Sequence, residues 1–414
     1  MPPLKHSLFL LLIACSACGD PEDRVPVAGP LTELPLLPPI NPDAPYNHAN
    51  EASIAAYGDH VVIAYVNRHL LSATGYDFDT FARSYRRVAV AVSHDRGATF
   101  RVSDPPGPIF DVTSDPVVRV AADGTFWLVR LQFDIATTGS LPTCQLARST
   151  DFGETWATLV TDIDCEDKPW LAIDDAGKAV YLTSLVGIFK YSQEGAPLGS
   201  VRTLDSSQGY AGYADAAGAH FAVSPRDQSL EYQIIRFDGT TLAYDGQPLP
   251  GGPFASAPEY DQRSCLGLGR TSDGGQWIVR SLADRTVSLR VRRLPNDEGR
   301  DLVFSAPGAT AFYATGSLDG QARLHTIWYD STGPVGVIRY AHTLSSALTS
   351  FTPAITVDAE ACPGSGFYPR SIPAQELNRL REYIDVAVAG RRAYMAWTRA
   401  VQPPSRVYTT YVDF

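Results

Sequence analysis

The chain has 414 residues, 44% of them hydrophobic and 10% aromatic, enough for two ordinary domains or one large all-β domain. Its 33 glycines and 31 prolines suit many short strands joined by turns better than long helices. A formal net charge of -11 argues against nucleic acid or an anionic membrane surface as partner, since both recruit basic patches.

At the N-terminus Lys5 and His6 precede the apolar run Ser7-Leu8-Phe9-Leu10-Leu11-Leu12-Ile13-Ala14. That run is too short to span a membrane as a mature helix and has the layout of a secretory signal. Leu12-Ile13-Ala14-Cys15 resembles the bacterial lipobox, in which the cysteine is lipidated and becomes the mature N-terminus. A plain secretory signal is the alternative. On the lipobox reading residues 1–14 are the signal, Cys15 carries the lipid, and the Pro-rich stretch 15–45 is an extended tether. Acyl chains hold through about 0.8 kcal/mol per buried CH2, so several together anchor firmly. The expectation is an exported lipoprotein of the outer membrane or cell surface that meets the membrane only through its lipid.

From about Glu51 the sequence acquires a rhythm of strand, tight turn and strand. Ser53-Ile54-Ala55-Ala56-Tyr57 turns at Gly58-Asp59 into His60-Val61-Val62-Ile63-Ala64-Tyr65. After a polar loop, Arg87 to Val92 reads as a third strand and Phe100-Arg101-Val102 as a fourth. Between them lies Ser93-His94-Asp95-Arg96-Gly97-Ala98-Thr99-Phe100, which returns as Ser149-Thr150-Asp151-Phe152-Gly153-Glu154-Thr155-Trp156. The shared pattern, S-x-D-x-G-x-T and an aromatic, suits a hairpin corner. Ser and Asp bond to nearby backbone, Gly takes a positive φ, and the aromatic supplies burial at the start of the next strand. Thr271 to Trp277 reads as a third, shortened copy and Thr343 to Phe351 as a fourth that has lost its Asp and Gly. A repeat of this kind points to a repeat architecture.

The pattern resembles the Asp box of the sialidase-type (BNR-repeat) β-propellers. That resemblance implies an all-β propeller over residues 46–414, built from four-stranded antiparallel blades, with the boxes on outer strands away from the ligand funnel. Seven units can be counted, with six possible, and part of Val25 to Leu37 is a natural donor for the strand the last unit lacks. In the implied layout Cys144 and Cys165 both fall on the funnel rim and are expected to pair, which leaves Cys265 and Cys362 as a second disulfide.

The same layout puts Asn50-Glu51, Ser114-Asp115, Asp167-Lys168, Tyr210 to Asp215, Arg263 and Arg381-Glu382-Tyr383 on the rim. An insertion from Asp358 to Leu380, carrying Tyr368 and Arg370, is expected to shape the funnel. Sialidases use a tyrosine nucleophile assisted by a glutamate, an aspartate acid/base and three arginines on the substrate carboxylate. By resemblance Tyr383 is the nucleophile candidate, Glu382 or Glu51 its partner, and Asp115 or Asp167 the acid. Glu51, Lys168, Arg263, Tyr368, Arg370 and Arg381 are candidates for holding a ligand. The first-blade arginine motif of that family has no counterpart here, where the chain reads Asn50-Glu51-Ala52-Ser53-Ile54. Asp115-Pro116 and Asp167-Lys168-Pro169-Trp170 have the alternative reading of simply setting the start of an inner strand. Two functions from different classes therefore stand: a non-catalytic, monomeric propeller binding a glycan or surface protein, and an exo-acting glycoside hydrolase of sialidase type. No cofactor is implied, and no cysteine or histidine spacing suits zinc.

Overall fold

The computed structural model describes residues 26–37, 46–70, 85–105, 112–133, 142–174, 176–202, 208–224, 231–244, 249–250, 267–282, 285–293, 298–364, 383–401 and 404–414. Among these residues every regular element is a strand. The lipidation candidate Cys15 and the signal lie outside them.

The strands form consecutive antiparallel meanders. The first is Tyr46–Tyr57, His60–Leu70, Tyr85–Ser93 and Arg101–Ser103. Val112–Val120, Phe126–Phe133, Thr143–Ser149 and Ala157–Asp164 make the second. A single parallel bridge, Arg86 to Val112, joins these two into one eight-stranded sheet. The third comprises Trp170–Ile173, Ala179–Thr183, Gly187–Ser192 and Pro197–Arg202. In the fourth, Gln208–Asp215, Gly218–Ser224, Glu231–Phe237 and Leu242–Tyr244 are joined by Leu249–Pro250. The fifth is Gly267–Arg270, Gln276–Ser281, Val287–Arg293 and Glu298–Val303. Ala311–Leu318, Leu324–Asp330, Val335–His342 and Ile355–Pro363 follow as the sixth.

The last meander has three strands of its own, Asp385–Ala389, Arg392–Arg399 and Arg406–Asp413. Its outer edge is filled from the N-terminal side: Val27–Ala28 and Thr32–Glu33 both pair antiparallel with Arg406–Asp413. The approach is so close at Gly29 that an added Cβ would sit 2.5 Å from the Tyr411 ring, so only glycine fits. Leu34 and Leu37 follow the strands inward and pack among Ala49, Tyr65, Tyr394 and Val407.

The first strands of the meanders touch one another in a closed circuit. Tyr46–Tyr57 meets Val112–Val120, and contact passes through Trp170–Ile173, Gln208–Asp215, Gly267–Arg270 and Ala311–Leu318 to Asp385–Ala389, which returns to Tyr46–Tyr57. This ring of radially stacked, four-stranded antiparallel sheets is a β-propeller. The hydrophobic clusters sit between neighbouring sheets, as where Val62 and Val90 of the first meet Val118, Phe126, Leu128 and Trp156 of the second. A second strand is therefore covered on both faces. Phe126–Phe133 is buried along all but its last residue, which is why it reads as a continuous apolar run instead of alternating. The outer strand Ala157–Asp164 is mostly half-exposed.

Both octapeptides form the corner between third and fourth strands, in the first and second sheets. Their bonds match atom for atom. Ser93 and Ser149 donate from Oγ to Asp95 and Asp151 Oδ1 at 2.7 and 2.8 Å, and accept from the Gly97 and Gly153 N–H at 2.8 Å in both. The Thr99 and Thr155 N–H groups donate to the same Oδ1 atoms at 2.9 Å, and their hydroxyls to Oδ2 at 2.6 Å. Bonds from Thr99 hold the Asp95 carboxyl at about 2, below its ordinary value. Two successive residues are left-handed in each corner, Arg96-Gly97 and Phe152-Gly153, one more than the glycine alone foretells. Trp156 is buried between the first two sheets.

Thr271 to Trp277 is not a third corner of this type. It turns from the first to the second strand of the fifth sheet, closed by Gly274 N–H to Thr271 O at 3.1 Å and Thr271 Oγ1 to Asp273 Oδ1 at 2.6 Å. Hydroxyl, aspartate and glycine serve any tight hairpin, so the resemblance was one of turn chemistry. The eroded stretch from Thr343 does sit between third and fourth strands, bridged Thr343 to Phe351.

Cys144 and Cys165 are bonded, with their Cα atoms 5.5 Å apart. The second expected disulfide is corrected. Cys362 is a free, fully buried thiol near the end of the sixth sheet's outer strand, enclosed against Gly336. Its surroundings lift the thiol well above the usual cysteine range, burial first and then the carboxylates of Asp330 and Asp358. Cys265 lies outside the described residues.

Candidate functional site

The first strands do not start cleanly. Their pairing with the second strands slips between Asn50 and Ser53, between Ser114 and Val117, and between Phe312 and Thr315. Within each slip one non-glycine residue is left-handed: Glu51 at φ 56°, Asp115 at φ 49° and Tyr313 at φ 52°. Lys168, just before the third sheet's first strand, is left-handed too, at φ 51°. Such bulges re-aim side chains, and each left-handed residue costs about 1–3 kcal/mol.

Three of the re-aimed side chains, those of Glu51, Asp115 and Lys168, meet at the end of the ring opposite the octapeptide corners. Asp115 is the hub. Its Oδ1 accepts from the Tyr383 hydroxyl at 3.2 Å and lies 3.6 Å from Lys168 Nζ, while its Oδ2 accepts from Ser114 Oγ at 2.6 Å. Glu51 Oε2 accepts from the Asp115 backbone N–H at 3.3 Å. The Lys168 ammonium also lies 5.5 Å from the centre of the Tyr383 ring. All of these residues are buried, none more than 6% exposed. Asp167 faces its own loop: Oδ1 accepts from the Lys168 N–H at 2.9 Å. Glu51, Asp115, Lys168 and Tyr383 are thus brought together. Glu382, Arg263, Tyr368, Arg370 and Arg381 lie outside the described residues.

One layer further along the axis is a second polar knot that spacing gave no sign of. Asp385 Oδ2 accepts from Arg119 Nη1 at 2.9 Å, Ser53 Oγ at 3.0 Å and the Ile54 N–H at 3.2 Å; its Oδ1 accepts from the Val386 N–H at 3.0 Å. Arg119 also donates to Ser53 Oγ and Val118 O, and its guanidinium lies 4.8 Å from the centre of the Trp170 ring. The sequence hint is that Arg119 and Asp385 are charged residues directly beside the apolar runs Val117-Val118 and Val386-Ala387-Val388.

Below this knot an axial cavity of about 320 Å³ runs to the far ends of the first strands, near Ala56, Val120, Arg270, Leu318 and Val388. It therefore faces the octapeptide end, whereas the sequence placed the site at the opposite rim. Trp170, Tyr213, Trp277, Arg119 and Arg270 contribute to its wall, together with the backbone of Gly212, Gly267, Gly269 and Gly316. Among the described residues no group of three or more His, Cys, Asp or Glu side chains is arranged to hold a metal ion. No helix among them is long and apolar enough to cross a membrane.

No protein-family model and no curated protein sequence matches the chain. Among solved structures it is similar to a protein of unknown function from Dyadobacter fermentans, at 14% identity over 93% of this chain and 99% of that one, with a TM-score of 0.52. It is also similar to virginiamycin B lyase from Staphylococcus aureus, at 12% identity over 93% and 99% of the two chains and a TM-score of 0.47. A Hadza microbial sialidase matches at 11% identity over 89% of this chain and 66% of the other, with a TM-score of 0.46. The chain is a β-propeller by its own ring of sheets, and the first likeness, running end to end, bears on that fold alone.

Proposed function

We propose that the protein is an exported, lipid-anchored, seven-bladed propeller of sialidase-like, Asp-box type that binds a ligand within its central funnel without turning it over. The observation that supports binding over catalysis is the occupancy of the carboxylates. A glycosidase needs one carboxyl free to give a proton and a second group free to attack. Here the cavity-lining Asp385 already accepts four hydrogen bonds, and Asp115 is engaged by Tyr383, Ser114 and Lys168. Of a glycan and a protein ligand, the glycan is favoured: a cavity of about 320 Å³ with Trp170, Tyr213 and Trp277 in its wall suits one or two sugar rings.

The test is a glycan array followed by calorimetry on the intact exported domain. Saturable binding that Trp170→Ala and Arg119→Ala both weaken is the expected result. Binding untouched by either substitution would place the ligand elsewhere.

A second reading, a sialidase-type hydrolase, is favoured by one contact: the Tyr383 hydroxyl on Asp115, with Glu51 beside it. Release of fluorophore from a sialoside panel, abolished by Tyr383→Phe, would establish hydrolysis and overturn the binding reading.

A further inference from the structure

The cluster at the rim holds an amine, a carboxyl group and a proton carrier together away from water. Lys168 Nζ lies 3.6 Å from Asp115 Oδ1. That is close to the reach of about 3–3.5 Å at which reacting groups are poised. Tyr383 donates its hydroxyl to the same oxygen at 3.2 Å, with its ring centre 5.5 Å from the nitrogen. The other carboxyl oxygen, Oδ2, lies 2.6 Å from Ser114 Oγ, which is itself 3.3 Å from Glu51 Oε2. A serine hydroxyl has one proton and cannot give it fully to two carboxylates. A proton on Asp115 Oδ2 resolves the conflict: Oδ2–H donates to Ser114, and Ser114 donates to Glu51. Asp115 is then a neutral acid, the electrophilic form of a carboxyl group.

We infer that Lys168 and Asp115 condense into an amide, an internal cross-link between the inner strand of the second sheet and the entry to the third. In the first step one proton passes from the Lys168 ammonium to Asp115 Oδ2. Burial favours that exchange, because it removes two charges from a site shielded from water. The amine lone pair then forms the Nζ–Cγ bond, and the carbonyl electron pair moves onto Oδ1, where the Tyr383 hydroxyl stabilises the developing charge. As that pair returns, the Cγ–Oδ2 bond breaks. Oδ2 leaves as water with a second proton from the nitrogen, carried at the oxygen end by Ser114 and Glu51. One ammonium and one carboxylate become one amide and one water, with no oxidant, reductant or co-reactant.

The frame holds the reacting groups in place. Glu51, Asp115 and Lys168 are each left-handed, three bends that bring three side chains to one point. The Cys144–Cys165 disulfide fixes the loop just before Lys168, and Asp167 Oδ1 accepts from the Lys168 N–H at 2.9 Å. Burial also keeps out the water that would reverse the bond. The product takes Asp115 out of the hydrolase reading and leaves the axial cavity, and the binding read from it, untouched.

The test is peptide mapping by mass spectrometry of the full chain, purified in its folded form, then reduced and digested. The expected result is a branched peptide that joins Asp115 to Lys168 and is one water lighter than its two parts. Lys168→Arg, which keeps the charge but cannot form the bond, and Asp115→Ala should each return two linear peptides. Glu51→Gln should slow formation about a hundredfold in freshly refolded protein sampled over time. The wild type decides even where a variant fails to fold. Two linear peptides from the folded wild type, or a branched peptide that persists in Lys168→Arg, overturn the assignment. Formation as fast in Glu51→Gln as in the wild type overturns the role given to Glu51.

Discussion

The two ends of the ring are built by opposite rules. At the octapeptide corners the bonds of the shared motif join residues two to four positions apart: Ser93 to Asp95, Gly97 to Ser93, Thr99 to Asp95. These groups are largely solvent-exposed, and their backbone adopts left-handed φ where glycine or its neighbour allows it. At the other end Tyr383 reaches Asp115 across 268 residues of chain, and Ser114 meets Glu51 across 63. There the charged groups are buried and the left-handed residues are Glu51, Asp115 and Lys168, of which only aspartate is commonly found in that region. The corners are local devices that each sheet carries for itself. The buried cluster exists only once the ring has closed.

Removing the hub of the buried cluster should have the largest effect. Asp115→Ala takes a carboxylate from the buried Lys168 and a partner from Tyr383, and should lower stability by about 3–5 kcal/mol in urea unfolding. A loss below 1 kcal/mol would mean the cluster contributes no more than a corner does. Next comes the staple close to this end: replacing Cys144 and Cys165 together by serine should cost about 2–4 kcal/mol, read from the shift in denaturation midpoint. Asp151→Ala removes two accepted bonds from Thr155 and one from Ser149 in a corner open to water, and about 1–2 kcal/mol is expected in the same assay.

The last test is by acid and stays at the corner end. His342, at the corner end of the sixth sheet, is held down to about 4 by burial, then by His325 and Arg323. A histidine with a lowered folded pKa binds fewer protons than it does unfolded, so its stabilising contribution fades as pH falls from about 6.5 to 4. His342→Gln should flatten the thermal midpoint across that window. Asp95, held at about 2, keeps its contribution above pH 4 and loses it only as pH approaches 2.

What could be read from the chain alone follows the same division. Ser93 to Phe100 and Ser149 to Trp156 announce their corners because all the bonding partners lie within eight residues. Gly58-Asp59 is a turn for the same reason, and the bulged positions Glu51 and Asp115 were placed at one rim by counting strands. The bulges themselves were invisible, since a slip in pairing depends on the partner strand and leaves no mark on spacing. The Arg119–Asp385 pair, joining the second and last sheets, was unreadable for the reason that makes it important: its partners are set by closure of the ring. Thr271 to Trp277 misled because one turn chemistry serves both inner and outer hairpins, and Cys362 because it was paired by elimination from an expected rim position, whereas it packs inside its sheet.

The strands that complete the last sheet carry a mechanical consequence. Val27–Ala28 and Thr32–Glu33 hold the N-terminal segment to Arg406–Asp413 through two ladders of two residues each. Any tension applied to the chain before residue 26 reaches the ring through this seam and would peel the ladders apart before it loads another sheet. A tug on the leading segment would thus expose the outer edge of one blade while the others stay shut, which makes the seam the weak link by which the molecule yields.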